Sequence, residues 1–230
     1  MNFALIWWTY YAMMGVECLI LIPFILNYRN LDMPSRWVCW YIVSSLVFAV
    51  GADLIQRLMG NNMWFFSIMH LIQFVILSVF YLICIKNPRV RTLIRIIPFI
   101  AVLIFSIDLF KIEGVRAYNS ITAGVKSIVL LVYGAIYFLQ LLKDKDLIEQ
   151  SVYIDTLPTF WYNSGLFIYF CTSFLFSISY NSLQALQTTG QAKLGMTVAI
   201  LVINYVVGMI TMILLYIGLL KTKRYRYADN

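Results

Sequence analysis

The chain has 230 residues, of which 62% are hydrophobic and only 12% are charged, and its formal net charge is +7. Soluble domains carry about 25% charged residues, so the charges present here are too few to cover a water-facing surface. The composition therefore excludes an ordinary soluble domain and indicates an integral membrane protein. A transmembrane barrel is also excluded, because barrel strands alternate in polarity over about 10 residues and the apolar segments here are continuous.

Seven segments are long and apolar enough to cross the roughly 30 Å of hydrocarbon, which requires about 20 residues of helix. In chain order they are Phe3–Leu26, Trp37–Ile55, Trp64–Ile85, Thr92–Phe110, Ile121–Leu142, Phe160–Tyr180 and Leu194–Leu220. We therefore predict an all-α fold, a single seven-helix transmembrane domain over residues 1–230 with no soluble domain. The first segment exceeds the length of a signal-peptide core and has no basic residue before it, so we expect it to be retained.

The longest predicted loop joins the fifth and sixth segments. Its apolar residues Leu147, Ile148 and Val152 indicate a short interfacial helix, and Pro158 suits the first turn of the sixth segment. The basic tail Lys221–Arg226 is predicted to be an interfacial anchor, with docking of a partner as the alternative.

Basic residues near the ends of the segments predict the orientation, because basic loops stay in the cytoplasm. Four lie on one side of the membrane: Arg57, Lys111, Arg116 and Lys193. Twelve lie on the other: Arg29, Arg36, Lys86, Arg89, Arg91, Arg95, Lys143, Lys145, Lys221, Lys223, Arg224 and Arg226. We predict a multi-pass protein of the inner cell membrane with its N-terminus outside and its C-terminus in the cytoplasm. The positive charge is then explained by topology and anionic lipid, and nucleic acid is not an expected partner.

Short similarities between the two halves of the chain indicate an internal repeat. Trp40-Tyr41 opens the second segment as Trp161-Tyr162 opens the sixth, and Tyr81–Lys86 ends the third segment as Tyr216–Lys221 ends the seventh. The similarities suggest a 3+1+3 organisation, in which the fourth helix joins two three-helix units.

Polar side chains inside the predicted segments are the candidate functional residues. An ionisable group in hydrocarbon costs roughly 2.5–3.5 kcal/mol or more, so each should face the bundle interior and find a partner. Ser67, His70 and Gln73 follow at three-residue steps and share one face of the third helix. Lys126 is the one basic residue well inside a segment, and we expect an acidic side chain near it. The last two helices add polar stripes: Ser173, Ser177 and Tyr180 on the sixth, and Thr197, Asn204, Gly208 and Thr211 on the seventh.

Two interpretations of these residues stay open. The first is an outward-opening polar cavity that binds a small ligand, and its candidate residues are Glu17, His70, Gln73, Lys126, Asn204, Ser173 and Ser177. The second is interhelical packing, in which polar side chains bond one another for about 0.6 kcal/mol each.

For Glu17 we favour structural pairing, for example with Lys126, over a protonated carboxyl or a proton relay. Asp53 and Arg57 are expected to form an i,i+4 pair at the headgroup level, and Asp108 is expected to be hydrated at the interface.

Few catalytic or cofactor sites are compatible with this sequence. The single histidine excludes a three-histidine zinc site and a bis-histidine haem, and the common hydrolase and phosphate-binding motifs do not occur. We expect no cofactor, no metal and no enzyme activity, although Glu17 and Asp53 could in principle serve an intramembrane lipid-active enzyme. The four cysteines, Cys18, Cys39, Cys84 and Cys171, all fall in predicted segments and are interpreted as small buried residues.

The last third of the chain carries aromatic and small-residue patterns at Pro158–Trp161, Ser164–Phe170 and Ser173–Ser177, followed by Asn204–Lys221. In these segments the chain resembles a family of small bacterial seven-helix membrane proteins that are commonly encoded beside sensor histidine kinases. The resemblance implies a role beside a signalling partner and brings no catalytic residues.

The predicted layout is also similar to the sugar-transporting SWEET group. Those proteins use prolines in four helices as hinges, whereas only Pro23 and Pro98 lie inside predicted segments here.

The sequence thus predicts a sensory or accessory membrane subunit. A small ligand would bind the outer-half polar cavity and shift helix packing, and a separate membrane or cytoplasmic partner would receive the change. The alternatives are a 3+1+3 transporter of a small solute or ion and a structural or assembly subunit.

Overall fold

The computed structural model describes residues 3–116, 118–149, 153–185 and 190–228. Within these ranges it describes all side chains except those of residues 3, 146, 148, 180–185, 190–194 and 223–228. Several predictions lie outside the described side chains, namely those for Ile148, Val152, Tyr180, Lys193 and the tail beyond Thr222.

The described chain is helical and contains no strand. Its helices are α1 Phe3–Leu26, α2 Met33–Met59, α3 Met63–Cys84, α4 Pro88–Ile107, α5 Ser120–Lys143, α6 Lys145–Glu149, α7 Pro158–Ala185 and α8 Gly190–Ala228. A π-helical turn, Asp108–Ile112, continues α4. The predicted all-α fold is confirmed, the short helix α6 lies in the loop where one was predicted, and α7 begins at Pro158 as expected.

Over their described residues, six of the seven long helices are long and apolar enough to cross a membrane: α1, α2, α3, α4 with its π turn, α5 and α8. The exception is α7, whose first turns carry Trp161, Tyr162 and Asn163. These side chains lower the mean hydropathy of α7, but α7 packs between α5 and α8, and Tyr162 and Asn163 are fully buried. A helix enclosed by other helices can carry such polar groups because lipid does not contact them.

Local sequence sets several helix ends more tightly than hydropathy does. The Asp32 carboxylate accepts a hydrogen bond from the Ser35 amide, so α2 begins before the apolar run that starts at Trp37. Gly60 ends α2 with a φ of 71°, a left-handed conformation that favours glycine. The helix α8 continues beyond the predicted Leu220, because an apolar run marks the membrane crossing and not the limits of the helix.

Contacts between helices show their relative directions. Two helices are antiparallel when contacts advance along one and recede along the other. Helices α1 and α2 show this through Tyr10–Ala49 and Glu17–Ser45. The same holds for α5 and α7, through Gly124–Ser177 and Gly134–Asn163, and for α7 and α8, through Gly165–Thr211 and Tyr162–Thr222. Parallel pairs are shown by Tyr10–Tyr205 and Met13–Gly208 for α1 and α8, and by Lys126–Gln73 and Gln140–Cys84 for α5 and α3. We call the end where α1 begins the amino end of the bundle, and the end where α8 finishes the carboxyl end.

Six helices form a ring in the order α1, α2, α3, α5, α7, α8, and α8 packs back onto α1. The remaining long helix, α4, lies outside this ring against α3 and α5. Large side chains fill the ring toward the carboxyl end, where Phe24, Phe80, Tyr81 and Tyr162 have no exposed surface. The helix ends and connections at this end carry Arg29, Arg36, Lys86, Arg89 and Lys143.

Candidate functional site

The centre of the candidate site is Lys126, which lies on α5 in the amino half of the bundle and is only 1% exposed. Its Nζ lies 2.9 Å from Gln73 Oε1 and 2.9 Å from His70 Nδ1. Both partners come from α3, where the three-residue spacing predicted one common face. That prediction is confirmed, since α3 presents both side chains to the same lysine.

Aromatic rings surround this group. The ring of Phe170 on α7 has its centre 5.7 Å from Lys126 Nζ, within the range of a cation–π interaction. The edge of the His70 ring meets Phe48 of α2 at a centroid distance of 5.3 Å. Helices α2, α3, α5 and α7 therefore all contribute to what we call the lysine cluster: Lys126, His70, Gln73, Phe170 and Phe48.

The expected acidic neighbour of Lys126 is not found. Among the described side chains, no carboxylate lies within 4.0 Å of Lys126 Nζ. The ion pairs that the described side chains do form lie toward the ends of helices. These pairs are Asp53–Arg57 at 2.8 Å, Lys86–Asp144 at 2.8 Å and Lys221–Asp155 at 3.8 Å. The first confirms the predicted i,i+4 pair. Within the described part of the chain, the charge of Lys126 meets neutral partners.

Two polar atoms of predicted site residues are buried without a hydrogen-bond partner in the described protein. They are His70 Nε2 on α3 and Asn204 Oδ1 on α8. Leaving a buried donor or acceptor unpaired costs about 1–3 kcal/mol, so such atoms are uncommon in a native interior. Their presence indicates that the polar interior is not fully paired within itself.

Glu17 on α1 forms a second buried group, separate from the lysine cluster. It is 1% exposed, and its Oε1 accepts a hydrogen bond of 2.6 Å from Ser45 Oγ on α2. Tyr41 and Tyr169 lie near enough for electrostatic interaction with its carboxylate. The suggested pairing of Glu17 with Lys126 is therefore wrong, because Ser45 takes that position.

Asp108 is fully buried, so the expectation that it is simply hydrated is wrong. Its Oδ2 accepts hydrogen bonds from the Thr122 amide at 2.9 Å and from Thr122 Oγ1 at 2.6 Å. Glu113 accepts from Ser120 Oγ at 2.5 Å. Both acids therefore cap the first turn of α5, where free amides and the helix dipole favour negative charge.

The predicted serines of α7 form no hydrogen bond with the lysine cluster among the described side chains. Ser177 donates to the Ser173 carbonyl at 2.9 Å, which satisfies its hydroxyl within the helix. Ser177 also lines a crevice of about 430 Å³ between α5 and α7, together with Ile121, Gly124, Phe174 and other mostly apolar residues. Neither Lys126 nor its two α3 partners line this crevice.

The carboxyl half of the bundle contains polar networks that sequence analysis did not assign to the site. Tyr162 Oη lies 2.8 Å from Ser35 Oγ and 3.3 Å from Thr222 Oγ1, which joins α7, α2 and α8. Tyr81 donates to Asn163 Oδ1 at 2.8 Å, and Asn163 donates to the Gly134 carbonyl at 3.2 Å. These bonds connect five helices of the ring and close this half of the bundle.

An all-helical bundle with six membrane-length apolar helices belongs to the class of polytopic membrane proteins. No protein family, curated protein or solved structure matches the chain. Among the described residues there is also no group of three or more histidine, cysteine or acidic side chains that could hold a metal ion.

Proposed function

We propose that the chain is a seven-span sensory or accessory membrane subunit that binds a small ligand at the lysine cluster. Ligand binding would change the packing of α3 against α5 and α7, and a membrane or cytoplasmic signalling partner would receive the change. The family resemblance of the last third supports a partner of this kind. The proposal includes α7 as a span, the N-terminus outside and location in the inner cell membrane.

The observation that carries the proposal is a buried lysine whose partners among the described side chains are all neutral. An ionisable residue inside a membrane bundle is expensive, and such residues commonly mark binding sites or ion pathways. Packing alone could be achieved by an apolar side chain at position 126, without burial of a charge. A ligand that binds the lysine beside these neutral partners would explain why an ionisable side chain is present.

The positions of the basic loops support the proposed orientation. The loops with the most arginine and lysine lie at the carboxyl end of the bundle, which the positive-inside rule assigns to the cytoplasm. The lysine cluster then lies in the outer half, toward the amino end. The aromatic networks around Tyr81 and Tyr162 lie between the cluster and the cytoplasm.

Thermal unfolding in lipid nanodiscs tests ligand binding directly. The protein would be melted with a panel of small acids, amines, sugars and alcohols, and its six tryptophans supply the fluorescence signal. We expect one class of solute to raise the melting temperature, because a ligand that binds the folded state stabilises it. His70→Ala with Asn204→Ala should abolish that increase while the protein remains folded.

A matched control for this double variant is Thr92→Ala with Ser106→Ala, which changes two exposed residues of α4. The control should respond to the ligand as the wild type does. Failure of every solute class to stabilise the wild type, or an equal response in the double variant, would instead favour a structural or assembly subunit.

The six-helix ring supports a second candidate, a small-solute or ion transporter of 3+1+3 type. One half of the ring is formed by α1, α2 and α3, and the other half by α5, α7 and α8. Helix α4 lies outside the ring, as expected of a helix that links two three-helix units. Proteoliposomes loaded with the stabilising solute would separate the two candidates. A transporter releases the solute down its gradient, whereas a sensory subunit binds it and retains the gradient.

A further inference from the structure

The lysine cluster contains more hydrogen-bond donors than acceptors. A protonated Lys126 has three N–H donors and no acceptor. The described structure gives it two hydrogen-bond partners, Gln73 Oε1 and His70 Nδ1. One N–H of the ammonium group is then left for a further acceptor, with the face of Phe170 at 5.7 Å as its nearby electron-rich surface.

The same geometry assigns the histidine tautomer. An ammonium group can only donate, so His70 Nδ1 accepts from Lys126 and the ring hydrogen lies on Nε2. His70 Nε2 is buried and has no hydrogen-bond partner in the described protein. The cluster therefore leaves the third N–H of Lys126 unpaired at the lysine, while the unpaired Nε2–H of His70 points away from Lys126 on the other side of the ring.

We infer that the ligand of the lysine cluster is a small anion, of the carboxylate or halide class, held by Lys126. This inference rests on the proposed function and specifies its ligand. An anion supplies the missing acceptor and the missing negative charge together. A neutral acceptor such as an amide would satisfy the hydrogen bonds but would leave the lysine charge buried and uncompensated.

The other buried acids do not supply this charge. Glu17 bonds Ser45, and Asp108 bonds the backbone and side chain of Thr122 at the start of α5. Each carboxylate thus has its own partners, and none lies within 4.0 Å of Lys126 among the described side chains. A small anion also fits a buried site better than a bulky one, because His70 and Gln73 already occupy one side of the lysine.

Acetate and chloride are the probes that test the inference. The full chain in nanodiscs would be melted in increasing sodium acetate or sodium chloride, with sodium gluconate added to keep the ionic strength constant. We expect saturable stabilisation by acetate or chloride, and none by acetamide, the neutral analogue of acetate. Lys126→Met should weaken apparent binding about thirtyfold or more, as expected when one partner of a buried charge pair is removed. Lys143→Met, at the exposed end of the same helix, should leave binding unchanged.

A second variant, Gln73→Glu, keeps the inference falsifiable if Lys126→Met fails to fold. The new carboxylate has nearly the volume of the amide and would sit 2.9 Å from Lys126 Nζ, where Gln73 Oε1 lies now. It would occupy the position of counter-ion from within the protein. We expect Gln73→Glu to fold, to melt above the wild type in gluconate, and to lose its response to acetate and chloride.

The outcomes separate the anion inference from the proposed function. If acetamide or another neutral solute stabilises the protein through Lys126 while acetate and chloride do not, a ligand site exists but the anion inference is overturned. If acetate stabilises wild type and Gln73→Glu equally, the anion binds elsewhere and the inference is again overturned. If no small solute of any class stabilises the wild type, the proposed function itself is overturned.

Discussion

The two halves of the bundle treat buried polarity differently. In the carboxyl half, the networks around Tyr162 and Asn163 use neutral side chains that pair with one another across helices. In the amino half, Lys126 is a buried lysine with neutral partners, and His70 Nε2 has no partner in the described protein. Neutral networks stabilise one arrangement of helices, whereas an uncompensated charge makes the arrangement depend on what binds beside it. The comparison suggests a fixed half and a responsive half.

The largest expected effect concerns packing in the fixed half. At Gly218 an added Cβ would lie 2.5 Å from the Tyr162 ring and 3.0 Å from the Pro158 carbonyl oxygen. We expect Gly218→Ala to reduce the free energy of unfolding by about 2–3 kcal/mol, because overpacking displaces a rigid ring and a backbone atom. Reversible unfolding in mixed micelles would measure the difference.

Gly208 on the same helix is the matched control. An added Cβ there would meet the flexible end of Met13 at 2.6 Å, and this side chain can move away. Gly208→Ala should leave stability unchanged or raise it by up to about 1 kcal/mol through helix propensity. Equal losses in both variants would show that the carboxyl half is no more tightly packed than the rest of α8.

The next effect concerns hydrogen bonding in the same half. Asn163→Leu would leave the Tyr81 hydroxyl without its acceptor and would remove the side-chain hydrogen bond to the Gly134 carbonyl, which keeps its bond within α5. We expect a loss of about 2 kcal/mol, within the range for unpaired buried polar groups. Ser78→Ala is its control, since the buried Ser78 hydroxyl has no partner in the described protein and its removal should change stability by less than about 0.5 kcal/mol. Similar values for the two variants would contradict the role assigned to the Asn163 network.

A smaller effect is expected at the amino end. Asp108→Ala removes the acceptor of two hydrogen bonds from Thr122 at the start of α5. Loss of this cap should cost about 1 kcal/mol, measured by the same unfolding experiment. Asp53→Ala, which breaks the exposed pair with Arg57, should cost less than about 0.5 kcal/mol. If both variants lose less than about 0.5 kcal/mol of unfolding free energy, the Asp108 cap does not contribute to stability.

Much of the fold follows from hydropathy, because a helix in lipid must satisfy its own backbone and expose apolar side chains. The segment Phe3–Leu26 was predicted with the bounds of α1, and Pro158 was predicted to begin α7. The start of α2 was placed too late, because the Asp32 cap and not hydropathy determines it.

The candidate site was predictable only within single helices. Helical spacing placed His70 and Gln73 on one face of α3, and burial of Lys126 followed from its position in an apolar segment. The partner of Lys126 could not be predicted, because the pairing of α3 with α5 depends on tertiary packing that no local pattern records. Charge complementarity alone favoured an acid, and the structure provides neutral groups instead. The burial of Asp108 was missed for the same reason, since its partner Thr122 belongs to the next helix.

A double-mutant cycle between Lys126→Met and Gln73→Glu, with unfolding free energies measured in gluconate, tests the central claim most directly. If Lys126 is a buried cation that lacks a counter-ion, Gln73→Glu should stabilise the wild type and destabilise the Lys126→Met variant, with a coupling of about 1–3 kcal/mol. A coupling near zero, or destabilisation of both backgrounds by Gln73→Glu, would contradict the claim and indicate that position 126 contributes only to packing.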